Sequence, residues 1–212
     1  ASWAIKKSAV TLENLHYGGT DGGVLKEFMF DDDGQVIVYP RLRDLQVYDS
    51  SNAKGERTTH ESIVPFPVLQ RLMVHSSCVF KDDTLFRGSS ATLVSLDIGL
   101  HRGFVDILRE YKVFSQGTHS NMIHINVALD HRDGLTLSDD EFAEAAFGLV
   151  SPSTQSLTIN TFTPYQCISN AIPTCPYLGN IQILHLENTE LSVLEIFNIL
   201  KHFPHVTDFG CC

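Results

Sequence analysis

Three side chains able to move protons, His75, Asp97 and His124, follow one another at intervals of 22 and 27 residues. A histidine oriented by a carboxylate can act as a general base, and two histidines with a carboxylate can hold a catalytic metal. Near them in the chain stand Tyr48, Arg71, Met73 and Asn126. This second group suits another task, because tyrosine and arginine are enriched at the hot spots of protein interfaces. The seven residues therefore support two chemistries: hydrolysis or metal catalysis through the histidines, or capture of a protein surface.

Hydrolysis asks for more than proximity. A nucleophile needs a positioned base and an oxyanion pocket, and the chain holds neither a G-x-S-x-G nor an H-E-x-x-H motif. Other motifs fail on inspection. Residues 18–23 (GGTDGG) lack the Gly-Lys-Ser/Thr that places a lysine on phosphate. Asp31-Asp32-Asp33-Gly34 lacks the later glutamate of a calcium loop, and it is expected to be a solvated turn. The stretch from Asp130 to Phe142 fits no register of an EF-hand, because aligning either Gly134 or Glu141 misplaces the other ligands. The expectation is a chain with no catalytic residue, metal or cofactor. A hydrolase or metal-dependent enzyme using His75, Asp97 and His124 is the alternative.

Charge and cysteines narrow the partners. A formal net charge of −10 argues against a nucleic-acid backbone as the main ligand. No run of about 18 apolar residues is present, so no membrane span is expected. The five cysteines, Cys78, Cys167, Cys175, Cys211 and Cys212, form no C-x-x-C pair, and no Asn-x-Ser/Thr acceptor occurs. Both facts point to a reducing, intracellular setting.

These residues are placed by a repeat. Leu12, Leu42, Leu69, Leu93, Met122, Thr154, Ile181 and Val206 each open a block with apolar residues at the fourth and sixth positions. Examples are Leu42-x-x-Leu45-x-Val47 and Ile181-x-x-Leu184-x-Leu186. The openings lie 24 to 32 residues apart, a period of about 28. The alternation within each block predicts a short strand. Between blocks, the spacing predicts a return by helix or turn, so successive strands lie parallel. Because each repeat buries its apolar face only against its neighbours, residues 1–212 are expected to form one domain of seven to eight irregular repeats.

Helix signals fill the gaps. Ser138-x-x-Glu141 and Ser192-x-x-Glu195 are capping boxes. The first predicts a helix with Phe142, Ala145, Ala146 and Leu149 inward. The second predicts a stripe of Val193, Ile196, Phe197, Leu200 and Phe203. Phe104, Ile107, Leu108 and Tyr111 form another stripe, Thr163-Pro164 predicts an N-cap and first turn, and residues 24–30 predict a short helix. Residues 1–10 read as the tail of a helix with Trp3, Ile5 and Val10 in contact. Three aromatic-proline pairs, Tyr39-Pro40, Phe66-Pro67 and Phe203-Pro204, lead into strand blocks. The chain is expected to continue at both ends, or to be covered there.

If the apolar positions face inward, the alternating positions form three outward columns. The middle one reads His16, Gln46, Met73, Asp97, Asn126, Thr158 and His185. Asn14, Asp44, Arg71, Ser95, His124, Ser156 and Ile183 flank it on one side. Tyr48, His75, Asn160 and Glu187 stand on the other. The densest candidate patch is Tyr48, Arg71, Met73 and His75, with Asp97, His124 and Asn126 beside it.

The blocks LENLHY, LRDLQVYD, LQRLMVHS, LVSLDIGL, SLTIN and IQILHLEN resemble leucine-rich repeats, most of all those of intracellular fungal F-box/leucine-rich-repeat proteins. The resemblance implies an α/β solenoid (a horseshoe) with a parallel sheet on the concave face and helices on the convex face. It also implies a protein-interaction module: the substrate-recruiting part of a ubiquitin-ligase receptor, joined to a Skp1-type adaptor by an F-box that this chain does not show. A purely structural scaffold role is a further alternative. The chain departs from the pattern at the ninth position, where His101 and Phe162 replace Asn or Cys, and at Thr154.

Overall fold

The computed structural model describes residues 2–19, 29–49, 63–76, 88–110, 119–129, 137–161 and 163–211. Eight strands follow the eight blocks: β1 (Asn14–Gly19), β2 (Asp44–Asp49), β3 (Arg71–Ser76), β4 (Ser95–Leu100), β5 (His124–Leu129), β6 (Ser156–Asn160), β7 (Ile183–Glu187) and β8 (Asp208–Cys211). They form one sheet in chain order, and every neighbouring pair is parallel. The helices are α1 (Ser2–Lys7), α2 (Arg102–Glu110), α3 (Asp139–Gly148), α4 (Tyr165–Ala171) and α5 (Val193–Leu200). The architecture is α/β, with α2 to α5 each connecting two consecutive strands.

Register aligns equivalent residues across the sheet. Leu15, Leu45, Leu72, Leu96, Ile125, Leu157, Leu184 and Phe209 pair in one row. Tyr17, Val47, Val74, Ile98, Val127, Ile159, Leu186 and Cys211 pair in the next. From Leu45 to Leu186 these rows are almost fully buried, and they share one apolar cluster with Val105, Phe142, Ala146, Ile168 and Ile199 of the helices. One face of the sheet thus carries the core. A slip of one residue in any strand would expose its whole apolar set, which is what fixes the register.

A repeated hydrogen-bond unit ties each strand to the next at its start. The carbonyl of the residue just before each strand accepts two N–H groups from the following block. Arg43 O, for example, accepts from Gln70 and Arg71, each at 2.9 Å. The same fork recurs from Glu13 through Gln182. Side chains add a second ladder: Asn121 Nδ2 donates to Ala91 O at 2.6 Å, Ser153 Oγ to Ser120 O, and Asn180 Nδ2 to Pro152 O at 2.7 Å. Thr154, out of place in an apolar pattern, is fully buried yet satisfied. Its hydroxyl donates to Met122 O at 3.2 Å and accepts from Ser151 N at 2.9 Å.

Both predicted capping boxes form, at Ser138/Glu141 and Ser192/Glu195. In each, the serine and backbone bonds hold the glutamate carboxyl below its ordinary range. The aromatic of each aromatic-proline pair is buried: Tyr39 and Phe66 have ring centroids 5.8 Å apart, and Phe203 lies 6.5 Å from Phe147. Burial pushes the Tyr39 phenol up to about 12.

The helix faces need correction in four places. In α5, Val193 and Phe197 are 72% and 62% exposed, and Ile199 is the residue that buries. Ile199 joins the apolar cluster that holds Leu184 and Leu186 of β7. In α3, Ala143 and Phe147 are buried where Ala145 is only half-buried. Thr163 is not the cap of α4: Pro164 holds that position with no side-chain bond to the helix. Trp3 and Val10 are exposed, and Trp3 lies under Lys7 Nζ at 3.9 Å from its ring centre.

In α2, Val105 is buried, while the side chains of Phe104, Ile107 and Leu108, together with Tyr111, fall outside the described residues. So do residues 20–28, which hold most of the glycine-rich stretch and of the helix expected at 24–30. Residues 130–136, Ser50, Ser77, Cys78, Phe162 and Cys212 lie outside them as well. At residues 31–34 the turn is present: Asp31 Oδ1 accepts from the N–H of Asp33 and Gln35, and Gly34 takes φ 76°.

Candidate functional site

The helices leave the opposite face of the sheet open, and the three outward columns lie on it in the expected register. The middle row is His16, Gln46, Met73, Asp97, Asn126, Thr158, His185 and Gly210. Asn14, Asp44, Arg71, Ser95, His124, Ser156, Ile183 and Asp208 form the row beside it. Apart from Gly99, the described residues of these columns are half-buried or exposed. The strand period alone produces this division, since a residue and its second neighbour share a face.

Most of the candidate residues meet. Tyr48 on β2 stacks on His75 of β3, with ring centroids 5.9 Å apart and an interplanar angle of 13°. The Tyr48 hydroxyl donates to Met73 Sδ. His75 Nε2 lies 2.6 Å from Asp97 Oδ1 on β4. The other carboxylate oxygen of Asp97 accepts from Asn126 Nδ2 on β5 at 3.1 Å. One chain of contacts therefore crosses four strands, from Tyr48 to Asn126. Asn126 Oδ1 has no hydrogen-bond partner although it is shielded from water. Arg71 sits beside this chain, 71% exposed at its side chain and 3.8 Å from Asp44.

His124 is not brought into the chain. Its register partners are Ser95 and Ser156, in the row beside Asp97. Among the described residues, no three His, Cys, Asp or Glu side chains group as metal ligands. The Tyr48 hydroxyl, the one nearest His75 in this chain, is turned toward sulfur rather than toward the imidazole. Two of the described thiols, Cys167 and Cys175, are held in their neutral form. Burial, then Asp140 and Asp139, push Cys167 up to about 11, and burial raises Cys175. Neutral thiols attack poorly.

Sequence reasoning missed a repeated pair on this face. His16 Nε2 lies 3.9 Å from Asp44 Oδ1, and His185 Nε2 lies 3.7 Å from Asp208 Oδ2. With His75–Asp97, these place an imidazole on a carboxylate of the next strand; in the two new pairs that carboxylate stands two residues before the position directly opposite the histidine. The signal was legible in the register, because diagonal neighbours at that offset lie within reach of long side chains. Gly210 belongs to the device. A Cβ there would stand 2.9 Å from His185 Cδ2, so glycine leaves room for the ring to lie over β8. On the far column, Asn160 Nδ2 donates to Glu187 Oε2 at 2.9 Å, and Asn160 Oδ1 accepts from Asn188 Nδ2 at 2.7 Å.

A groove lies along the edge where the strands begin. It measures about 760 Å³ between residues such as Ile123, Ser153, Gln155, Asn180, Gln182 and His205, with no formally charged lining residue. Its rim is the Asn/Ser ladder described above.

No protein-family model matches the chain, and no curated protein matches it. No helix among the described residues is long and apolar enough to cross a membrane.

Proposed function

We propose that this chain is a protein-interaction module, a leucine-rich-repeat solenoid whose open sheet face is the concave wall of a horseshoe and whose helices form the convex side. The observation that carries the reading is the register: eight parallel strands in chain order align polar side chains into continuous outward rows. Such a surface is wide, pre-formed and rigid, so little ordering opposes partner binding. Tyr48, Arg71, Met73, His75, Asp97, His124 and Asn126 are the residues we assign to it. Tyr48 and Arg71 are its anchors, since both combine exposure with large contact area.

The resemblance to F-box/leucine-rich-repeat proteins extends the proposal to substrate recruitment for a ubiquitin ligase, with a Skp1-type adaptor engaged elsewhere. Free Cys167, Cys175 and Cys211 suit the reducing, intracellular setting this implies. The proposed module needs no cofactor, no nucleic acid and no turnover. Affinity capture with the full chain, wild type against Tyr48→Ala/Arg71→Ala, tests it. The double variant should lose captured proteins that the wild type retains, each anchor contributing about 2 kcal/mol. An unchanged set of captured proteins makes this face the wrong surface.

A second reading, a hydrolase, rests on the 2.6 Å His75–Asp97 pair, which is how a general base is oriented. A broad hydrolase screen decides between them. Turnover abolished by His75→Ala would favour the enzyme.

A further inference from the structure

The three cross-strand His–Asp pairs set what kind of partner the open face accepts. Resting on the interaction-module reading, we infer that the face holds a lysine- or arginine-rich protein segment at neutral pH and releases it on mild acidification. Among the described open-face residues, four carboxylates (Asp44, Asp97, Glu187 and Asp208) stand against Arg71 alone. The face therefore carries a formal charge of −3 while its imidazoles are neutral. It becomes +1 when His16, His75, His124 and His185 are all protonated. Histidine is the side chain that ordinarily changes charge across the range from about pH 5 to 8. A basic segment is thus attracted while the imidazoles are neutral and repelled once all four carry a proton.

The placement of each histidine makes the reversal local. His16 on β1 faces Asp44 and Gln46 of β2. His75 on β3 lies between Tyr48 of β2 and Asp97 of β4. His124 on β5 has the serines 95 and 156 opposite it, with no charged register partner. His185 on β7 lies between Thr158 of β6 and the Gly210 and Asp208 of β8. Three of the four imidazoles therefore sit on the carboxylates a partner cation would use. His75 and Asn126 already hold Asp97, whereas His16 and His185 stand 3.9 and 3.7 Å from Asp44 and Asp208, so once protonated these two compete with a partner cation for those carboxylates. Charge complementarity of this kind governs partner choice and association rate more than raw affinity.

The test uses the full chain and a fluorescently labelled decalysine peptide, read by anisotropy at about pH 7.5 and about pH 5.5. Decalysine should bind at the higher pH and weaken about tenfold or more at the lower. Asp44→Asn/Asp97→Asn should weaken binding by about tenfold at the higher pH. Asp32→Asn/Glu144→Gln removes the same two charges away from the face, and should change binding by less than about twofold. Changing His16 and His185, which lie outside the assigned binding residues, to Gln should keep binding at the higher pH and cut its loss on acidification to about threefold. Circular dichroism verifies that each variant is folded, and Asp97→Asn alone stands in for an Asp44→Asn/Asp97→Asn variant that is not. The inference is overturned by a wild type that does not bind decalysine, by equal weakening in the two carboxylate pairs, or by a pH dependence that the His16→Gln/His185→Gln variant leaves unchanged. If it is overturned while Tyr48→Ala/Arg71→Ala still releases captured proteins, the face remains the binding surface and only the partner's charge is wrong.

Discussion

His75 and Asp97 lie 2.6 Å apart on neighbouring strands, and Asn126 on the next strand holds the opposite oxygen of the same carboxylate. The pair is about four-fifths shielded at both side chains, so it is a structural joint as well as a surface feature. A double-mutant cycle on His75→Ala and Asp97→Ala should give a coupling of about 1 kcal/mol, above most exposed pairs but well below a core contact. Chemical denaturation measures it. A coupling indistinguishable from zero would remove the joint.

Burial under the sheet should dominate stability. Leu184→Ala and Ile159→Ala should each cost about 2–5 kcal/mol, because both side chains are enclosed between stacked strands and helices. Val193→Ala and Phe197→Ala in the same pattern class should each change stability by less than about 0.5 kcal/mol, since both point to water. Thermal and urea unfolding of the four variants would separate the two groups. Equal losses would restore the stripe that the periodicity of α5 suggested.

Thr154 invites a substitution that looks favourable and should not be. Restoring the apolar pattern with Thr154→Val deletes the hydroxyl that serves Ser151 N and Met122 O. Met122 O keeps the Ser151 hydroxyl as a donor, but the buried Ser151 amide loses its acceptor, which should cost about 1–3 kcal/mol despite the gain in hydrophobicity. Urea midpoints decide it; a more stable valine variant would mean that the hydroxyl bridge contributes nothing.

His119 should make stability pH-dependent. Burial lowers it from its ordinary 6.5 to about 4 in the folded chain. The unfolded chain therefore takes up a proton below about 6.5 that the folded chain resists. This contribution is fully present above that value and is lost as pH falls toward 4, up to about 3 kcal/mol in all. Unfolding free energies between those values, compared for wild type and His119→Gln, should show a shallower decline in the variant. Parallel declines would assign the loss to other groups.

The sheet was legible in the sequence because a two-residue period and a repeated apolar spacing leave one register that buries Leu45, Val47 and their counterparts together. The helices were legible where a cap announced them, as at Ser138 and Ser192. Which side of α5 is buried was not, because a helical stripe shows that one face is apolar and not that a neighbour exists to cover it. Thr163 failed as a cap because the chain stays extended one residue longer: Pro164 takes the cap position with φ −58° and ψ 148°. On the open face, the register placed Tyr48, His75, Asp97 and Asn126 side by side. The diagonal offset joining His16 to Asp44 and His185 to Asp208 does not follow from directly opposite neighbours, which are Gln46 and Gly210. His124 and Asp97 share neighbouring strands, but one row of lateral separation parts them, since His124 lies opposite Ser95 and Asp97 opposite Asn126.

The claim that the open face meets a partner is tested most directly by site-specific photo-crosslinking. A benzoylphenylalanine placed at Tyr48 on the open face, or at Glu144 on α3, is irradiated in the presence of the captured partner. Covalent adduct from position 48 and none from position 144 is the predicted result. Adduct from position 144 with none from position 48 would put the partner on the helices and contradict the claim.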